Sequence, residues 1–169
     1  MRSVVLCGFM GCGKTTVGEL AAKMLGMEYV DADQYIVEKA GMTISEMFER
    51  YGESYFRDRE HEAMQELSGR ENTIISSGGG ALTFQRNVDA VRAGAFIVYI
   101  HTAFALCYER ISKDPNRPLV KANTKESLKA LYNRRDGLYR ACADTIITNN
   151  TTPQESAEAL CARIKANTK

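Results

Sequence analysis

The sequence has little net charge, few histidines and prolines, and no long apolar run. Its 169 residues carry 22 basic and 21 acidic side chains, which gives a net charge of +1. This balance gives no electrostatic reason to expect nucleic acid or an anionic membrane as a partner. The longest apolar runs have only the length of a strand, so we do not expect a transmembrane helix.

The histidines and cysteines exclude further classes of protein. The two histidines, His61 and His101, lie far apart and form no ligand pattern, which argues against a zinc hydrolase. The five cysteines are odd in number, widely spaced and without a C-x-x-C pair. This usage argues against a disulfide framework and favours a reducing compartment, so we expect a cytoplasmic protein.

Residues 8–15 read Gly-Phe-Met-Gly-Cys-Gly-Lys-Thr, which fits the phosphate-binding pattern G-x-x-x-x-G-K-[ST]. Apolar residues 4–6 predict a buried strand before the motif, and residues 16–25 predict a helix after it. The strand is too short for a signal peptide and the motif follows at once, so we expect a mature N-terminus. The glycines let backbone N–H groups turn toward an anion, to which the helix N-terminus adds positive charge.

This loop predicts a nucleoside triphosphate site. Lys14 is expected to reach the β- and γ-phosphates, and the Thr15 hydroxyl to bind Mg²⁺ directly. The predicted nucleotide-binding residues of the loop are Gly11, Cys12, Gly13, Lys14, Thr15 and Thr16.

Strand and helix signals alternate along the whole chain. The second predicted strand ends near residue 33. The third, fourth and fifth predicted strands cover 73–76, 95–100 and 145–148. The predicted helices between and after them include 34–40, 53–67, 84–92, 104–113 and 125–142, and a last one begins at 153. Apolar strands that alternate with helices predict one three-layer α/β domain with a five-stranded parallel sheet. Residues 114–123 contain two of the three prolines, and we expect a mobile loop there.

Two further patterns follow predicted strands. Asp31-Ala32-Asp33 is expected at the C-terminal end of the second strand, on the edge where such sheets bind ligands. By strand alternation, one carboxylate would help to hold Mg²⁺, directly or through water, and the other would face an acceptor hydroxyl. Gly78-Gly79-Gly80 follows the third strand, and three glycines are costly in conformational entropy. Close approach of the backbone to a ligand is the expected reason, and a flexible turn is the alternative.

The chain has no N-K-x-D element of the kind that selects GTP, and it is short for a motor or remodelling ATPase, which favours a small-molecule kinase. Its motifs together resemble the shikimate kinase family, within the nucleoside-monophosphate-kinase-like group of P-loop proteins. The resemblance covers nearly the whole chain, from Leu6 to Pro153. Its markers are Gly8-Phe9-Met10-Gly11-x-Gly13-Lys14-Thr15, Asp31-x-Asp33, Gly52-Glu53-x-x-Phe56-Arg57-x-x-Glu60, Ser76-x-Gly78-Gly79-Gly80, Arg117-Pro118-Leu119 and Arg135-x-x-Leu138-Tyr139.

The resemblance implies a role for each matching position on the acceptor and metal side. Asp33 binds the shikimate hydroxyls and orients or deprotonates the one that attacks. Arg57 and Arg135 clamp the shikimate carboxylate, although the adjacent Arg134 is an alternative to Arg135. The remaining implied residues are Gly78, Gly79 and Gly80 as pocket lining, Glu60 as a brace for Arg57, and Asp31 and Ser76 as supports of Mg²⁺ through water.

On the nucleotide side, the resemblance implies that Arg110 stacks on adenine and that Arg117 reaches the transferring phosphate. Lys14, Asp33 and Arg117 are thus the implied catalytic residues. The acceptor-binding region would span about residues 31–62, and a lid about residues 112–124.

The implied activity is Mg²⁺-dependent transfer of the ATP γ-phosphoryl group to the 3-hydroxyl of shikimate, a step of chorismate and aromatic amino-acid biosynthesis. The implied partners are these small molecules alone, with no nucleic acid or membrane, and the implied state is a monomer. Two alternatives stay open. A kinase for gluconate or a nucleoside monophosphate is one, because gluconate also offers a carboxylate to two arginines. A nucleotide-binding module without catalysis is the other, although it would be expected to lack Lys14, Asp33 or Arg117.

Overall fold

The computed structural model describes residues 1–115 and 122–167. Its strands are β1 (Ser3–Cys7), β2 (Glu28–Asp31), β3 (Thr73–Ser76), β4 (Ala95–His101) and β5 (Thr145–Thr148). Its helices are α1 (Lys14–Leu25), α2 (Ala32–Ala40), α3 (Ile44–Tyr51), α4 (Glu53–Ser68), α5 (Gln85–Gly94), α6 (Phe104–Ser112), α7 (Lys125–Cys142) and α8 (Pro153–Asn167), with a 3₁₀ turn at Ala81–Thr83. The predicted α/β class is confirmed.

The five strands form one parallel sheet in the order β2-β3-β1-β4-β5. The central strand β1 pairs with β3 on one side (Val4 opposite Ile74) and with β4 on the other (Val5 opposite Ile97). The phosphate loop follows β1, so it lies at the middle of the C-terminal edge. This is the edge at which parallel sheets of this kind bind ligands.

Alternate side chains of the strands pack on opposite faces of the sheet. Val4 and Leu6 of β1 join an apolar cluster with α1 and α8. Val5 and Cys7 join a second cluster with α4, α5 and α7. Because both faces are covered, β1 and β3 are buried along their whole length, whereas the edge strands β2 and β5 are partly exposed.

Side chains and backbone geometry fix the helix starts. Thr43 forms a capping box at the start of α3, in which its hydroxyl accepts from the Glu46 amide and the Glu46 carboxylate accepts from the Thr43 amide. Pro153 is the first residue of α8, where its missing N–H is not needed. Helices α2, α3 and α4 share a small apolar cluster of their own beside the β2 edge of the sheet.

The prediction that a strand carries both Asp31 and Asp33 is wrong. Strand β2 ends at Asp31, and Asp33 lies in the first turn of α2. The reason is a helix cap: Asp31 Oδ1 accepts a hydrogen bond from the Gln34 amide at 3.0 Å, which begins the helix at Ala32. Helical geometry, and not strand alternation, therefore sets the direction of the Asp33 side chain.

Within the described ranges, no helix combines the length and the apolar composition that a membrane crossing needs.

Candidate active site

The phosphate loop presents free backbone donors at the C-terminal edge of the sheet. Gly11 and Gly13 have φ angles of +77° and +93°, which are conformations that favour glycine. Gly13 is the N-cap of α1, and no side chain caps that helix end. The first N–H groups of α1 are therefore available to an anion.

Lys14 turns back onto its own loop. Its Nζ donates to the Gly8 carbonyl at 2.7 Å and lies 3.7 Å from the Cys12 Sγ. A phosphate oxygen entering the loop would replace this carbonyl as the partner of the ammonium group.

Two strand ends hold the loop from behind. The Cys12 carbonyl accepts hydrogen bonds from Thr102 Oγ1 at 2.9 Å and Asn149 Nδ2 at 2.8 Å. Ser156 donates to Asn149 Oδ1 at 2.8 Å, and all three anchoring side chains are buried. Sequence analysis missed this anchor, because its members lie far apart in the chain and belong to no local pattern.

A cleft of about 330 Å³ opens beside the loop. It brings together predicted residues of the nucleotide, metal and acceptor groups. Its lining is Met10, Gly11, Cys12, Gly13, Lys14, Thr15, Thr16, Asp31, Asp33, Ser76, Ser77, Gly78 and Gly79.

Asp33 lies in this cleft, largely removed from water. Burial raises the pKa of its carboxyl group, and the nearby charge of Asp31 raises it further, while Lys14 and Arg57 act in the opposite direction. Gly78 is packed against it, since a Cβ there would stand 2.6 Å from Asp33 Oδ1. The glycine thus makes room for the carboxylate.

The other two glycines lie against arginines, and of these two Gly80 is the one at which a Cβ would be crowded. A Cβ on Gly79 would lie 3.4 Å from Arg135 Nη1, and one on Gly80 would lie 3.0 Å from Arg57 Nη1. Space for protein side chains is therefore a reason for the triple glycine that the sequence did not reveal.

Arg57 is held in place by ion pairs and rings. Its Nη1 lies 2.8 Å from Oε1 of Glu60, a side chain that is only 2% exposed, and its Nε lies 3.4 Å from Glu53 Oε1. The guanidinium carbon stands 5.2 Å from the Phe56 ring centroid and 4.9 Å from that of Phe84. The predicted bracing contact with Glu60 is present in the structure.

Arg135 also lies beside the glycine run, but without an ion-pair partner among the described residues. The side chain is half-buried on α7, and no carboxylate within the described ranges lies at salt-bridge distance from it. Burial lowers the pKa of Arg135, Tyr139 acts against this, and the positive charge of Arg57 lowers it further. Arg134 is exposed, so Arg135 is the member of the pair beside Gly79. Tyr139 donates to the Gly79 carbonyl and ties α7 to the glycines.

The nucleotide side of the predicted site is only partly described. Arg110 lies on α6, and its Nη1 donates to the Gly11 carbonyl at 3.0 Å, beside the phosphate loop. Thr16 is exposed in the first turn of α1. Residues 116–121 of the predicted lid, which include Arg117, lie outside the described ranges. The role of Arg117 therefore stays a prediction.

Oxygen atoms gather where the metal is predicted. Strands β2 and β3 pair so that Asp31 stands opposite Ser76, and both line the cleft with Thr15. Asp31 Oδ1 accepts the hydrogen bond that caps α2, so Oδ2 is available to a ligand in the cleft. The buried hydroxyl of Tyr29 also lies here without a hydrogen-bond partner among the described residues. A set of hydroxyl and carboxylate oxygens with one unsatisfied member fits Mg²⁺ and its water shell.

A phosphate loop between a central strand and a helix, beside a small cleft that holds a half-buried aspartate and has two arginines next to its glycines, defines a P-loop kinase of small molecules. Comparison with known proteins agrees with this class. The family model of shikimate kinase matches residues 10–165. The chain belongs to the shikimate kinase family, whose members are ATP-dependent kinases.

Individual relatives cover almost the same length. A shikimate kinase of Thermodesulfovibrio yellowstonii is 38% identical over 161 residues, which are 95% of this chain and 93% of the relative. A solved structure of shikimate kinase from Acinetobacter baumannii in complex with shikimate has a TM-score of 0.90 at 37% identity, covering 99% of this chain and 94% of that one. A gluconokinase from Sinorhizobium meliloti has a TM-score of 0.59 at 17% identity, covering 98% of this chain and 94% of that one, and shares the fold alone.

Proposed function

We propose that this chain transfers the γ-phosphoryl group of ATP to the 3-hydroxyl of shikimate, giving shikimate 3-phosphate and ADP. The observation that carries the choice of acceptor is the pair of guanidinium groups beside Gly79 and Gly80. One of them, Arg135, is half-buried and has no ion-pair partner among the described residues. An anionic acceptor group would supply that partner, and guanidinium groups bind carboxylates through paired hydrogen bonds.

The acceptor hydroxyl is positioned by Asp33. Its carboxylate accepts the hydrogen bond of the attacking hydroxyl and points that oxygen at the γ-phosphorus. A raised pKa makes this carboxylate a stronger proton acceptor than an exposed aspartate. With the shikimate carboxylate held on Arg57 and Arg135, the ring is fixed at two ends, so the two reactants meet in a defined orientation.

The phosphates are bound by the loop and by Lys14. The free N–H groups at the start of α1 and the lysine ammonium lie where negative charge collects during phosphoryl transfer. When bound, Mg²⁺ would neutralise charge on the β- and γ-phosphates, held by Thr15 directly and by Asp31 and Ser76 through water.

The proposal is tested by measuring ADP release with ATP, Mg²⁺ and a panel of acids that contains shikimate, quinate and gluconate. We expect turnover of shikimate, and a loss of about 10²–10⁴-fold in Asp33→Asn if the carboxylate takes part in proton transfer. Arg134→Ala, a change to the exposed neighbour of Arg135, serves as the control and should retain activity. Faster turnover of gluconate would establish the rival kinase, and ATP binding without turnover of any acceptor would establish a silent nucleotide-binding module.

A further inference from the structure

One buried hydroxyl at the edge of the cleft has no explanation in the roles given so far. Among the described residues, two buried side-chain polar atoms lack a hydrogen-bond partner, Arg59 Nε and the Tyr29 hydroxyl. The guanidinium of Arg59 still bonds Glu62 at 2.7 Å through Nη2, whereas the phenol of Tyr29 has no second donor or acceptor atom. Buried polar groups without partners are rare, since no hydrogen bond offsets the cost of removing each of them from water.

The ring of Tyr29 is fixed in this position by close packing. A Cβ on Gly18 of α1 would stand 2.8 Å from Tyr29 Cε2 and 3.0 Å from Leu6 Cδ1. Glycine inside a helix is unfavourable relative to alanine. Gly18 therefore gives up helix stability at the one place where the ring crosses α1, and the hydroxyl cannot turn away without moving the ring.

The surroundings of the hydroxyl are those of the proposed metal. Burial raises the pKa of Tyr29, while the nearby hydroxyls of Ser76 and Thr15 act to lower it, although neither meets the geometry of a hydrogen bond with it. A groove of about 560 Å³ on the outer side of β2 is lined by Tyr29, Thr15 and Asp31, so solvent lies next to the residues that surround the hydroxyl. Mg²⁺ normally keeps several of its waters when it binds to proteins.

We propose that the Tyr29 hydroxyl accepts a hydrogen bond from a water molecule bound to the Mg²⁺ of MgATP. This inference rests on the proposed function, because it assumes that Thr15 holds the metal. Tyr29 would be a positioning residue: it would touch a water of the metal shell and would stabilise MgATP in the loop, without touching the acceptor.

Tyr29→Phe tests the proposal, because it removes the oxygen and keeps the packed ring. Calorimetric titration of the acceptor-free enzyme should show MgATP binding weakened about 3- to 10-fold, the loss expected for one hydrogen bond. ATP titrated in the presence of EDTA should bind the variant and the unaltered enzyme equally. The magnesium concentration that gives half-maximal ATP binding should rise in the variant by a similar factor.

Tyr35→Phe is the matched control. This tyrosine lines the same outer groove, but its hydroxyl donates to Glu66 at 2.7 Å, on the far side from the metal. Its removal should leave both titrations unchanged. Equal losses with and without magnesium in Tyr29→Phe, or no loss in either, would overturn the role of the hydroxyl. Neither titration contains shikimate, so this result is separate from the acceptor assay that tests the proposed function.

Discussion

At the scale of single residues, the buried negative charge of Glu60 is compensated by the positive charge of Arg57. Glu60 is 2% exposed; burial raises the pKa of its carboxyl group, and the Arg57 guanidinium at 2.8 Å lowers it. Removing one member of such a pair leaves the other buried and uncompensated. Experiments on variants of these residues must therefore measure substrate affinity and the stability of the fold separately.

Arg57→Ala should weaken shikimate binding by about 1.5–3 kcal/mol, the range for hydrogen bonds to charged groups, with ATP affinity unchanged. It should also destabilise the fold, because Glu60 loses its partner. Calorimetry with each substrate gives the affinities, and urea unfolding gives the stability.

The double variant Arg57→Ala, Glu60→Gln separates the two effects. Without the buried carboxylate, stability should recover in part while shikimate binding stays weak. Recovery of shikimate affinity in the double variant would mean that Arg57 acts on the fold and not on the acceptor.

The pKa of Asp33 gives a prediction with a sign. Burial and the charge of Asp31 both raise it, so the carboxyl group should titrate above the usual aspartate range in the free enzyme. Since the ionised form is needed to accept a proton, activity should fall as the pH drops through this pKa. Asp31→Asn removes one of the two causes and should lower the pKa of Asp33, and asparagine still caps α2. Carbon-13 NMR titration of the aspartate carboxyls measures both values.

Asp58→Asn is the control for that titration, because Asp58 is exposed and pairs with Arg86 at 2.9 Å. It should leave the Asp33 pKa where it was. An Asp33 that titrates below the range of ordinary aspartates would show that Lys14 and Arg57 outweigh burial.

At the scale of elements, two helical glycines differ in the space that a side chain would have. Gly94 ends α5 against the end of α4, where a Cβ would stand 2.4 Å from the Ser68 carbonyl oxygen. Gly137 is exposed inside α7, and a Cβ there meets nothing within 4 Å. Gly94→Ala should therefore destabilise by about 1–3 kcal/mol through overpacking. Gly137→Ala should stabilise by roughly 0.5–1 kcal/mol through helix propensity.

Urea unfolding of both glycine variants decides the comparison. Stabilisation by both changes would contradict the contact geometry at Gly94, since helix propensity alone favours alanine at both positions.

Element boundaries were predictable where the signal is local. The predicted bounds of β3, α7 and β5 agree with the structure, because apolar runs and caps lie within each segment. Asp33 was placed on a strand, because Asp-x-Asp after an apolar run fits both a strand end and a helix cap. The Tyr29 hydroxyl and the Thr102–Asn149 anchor were not predictable, since their meaning depends on contacts between distant segments.

At the scale of the whole molecule, the sheet order arranges the chemistry from one side to the other. The elements after β2 and β3 carry Asp33 and the glycine run, and the loop after central β1 carries Lys14. The elements after β4 and β5 carry Arg110 and Asn149, on the nucleotide side. Arg135 is the exception among the proposed acceptor groups, since it lies on α7, between β4 and β5. The other proposed acceptor groups and the proposed nucleotide-binding groups occupy opposite halves of one edge and meet at its middle.

This arrangement bears on the order in which the two substrates bind during a catalytic cycle. Apart from Arg135, the proposed groups for each substrate come from different halves of the sheet edge, so we expect each substrate to enter its own part of the cleft without blocking the other. Either substrate should bind to the empty enzyme in calorimetry, and initial-rate plots should show intersecting lines without an obligatory first substrate. Shikimate that binds only after a nucleotide would show that the two binding sites are not independent.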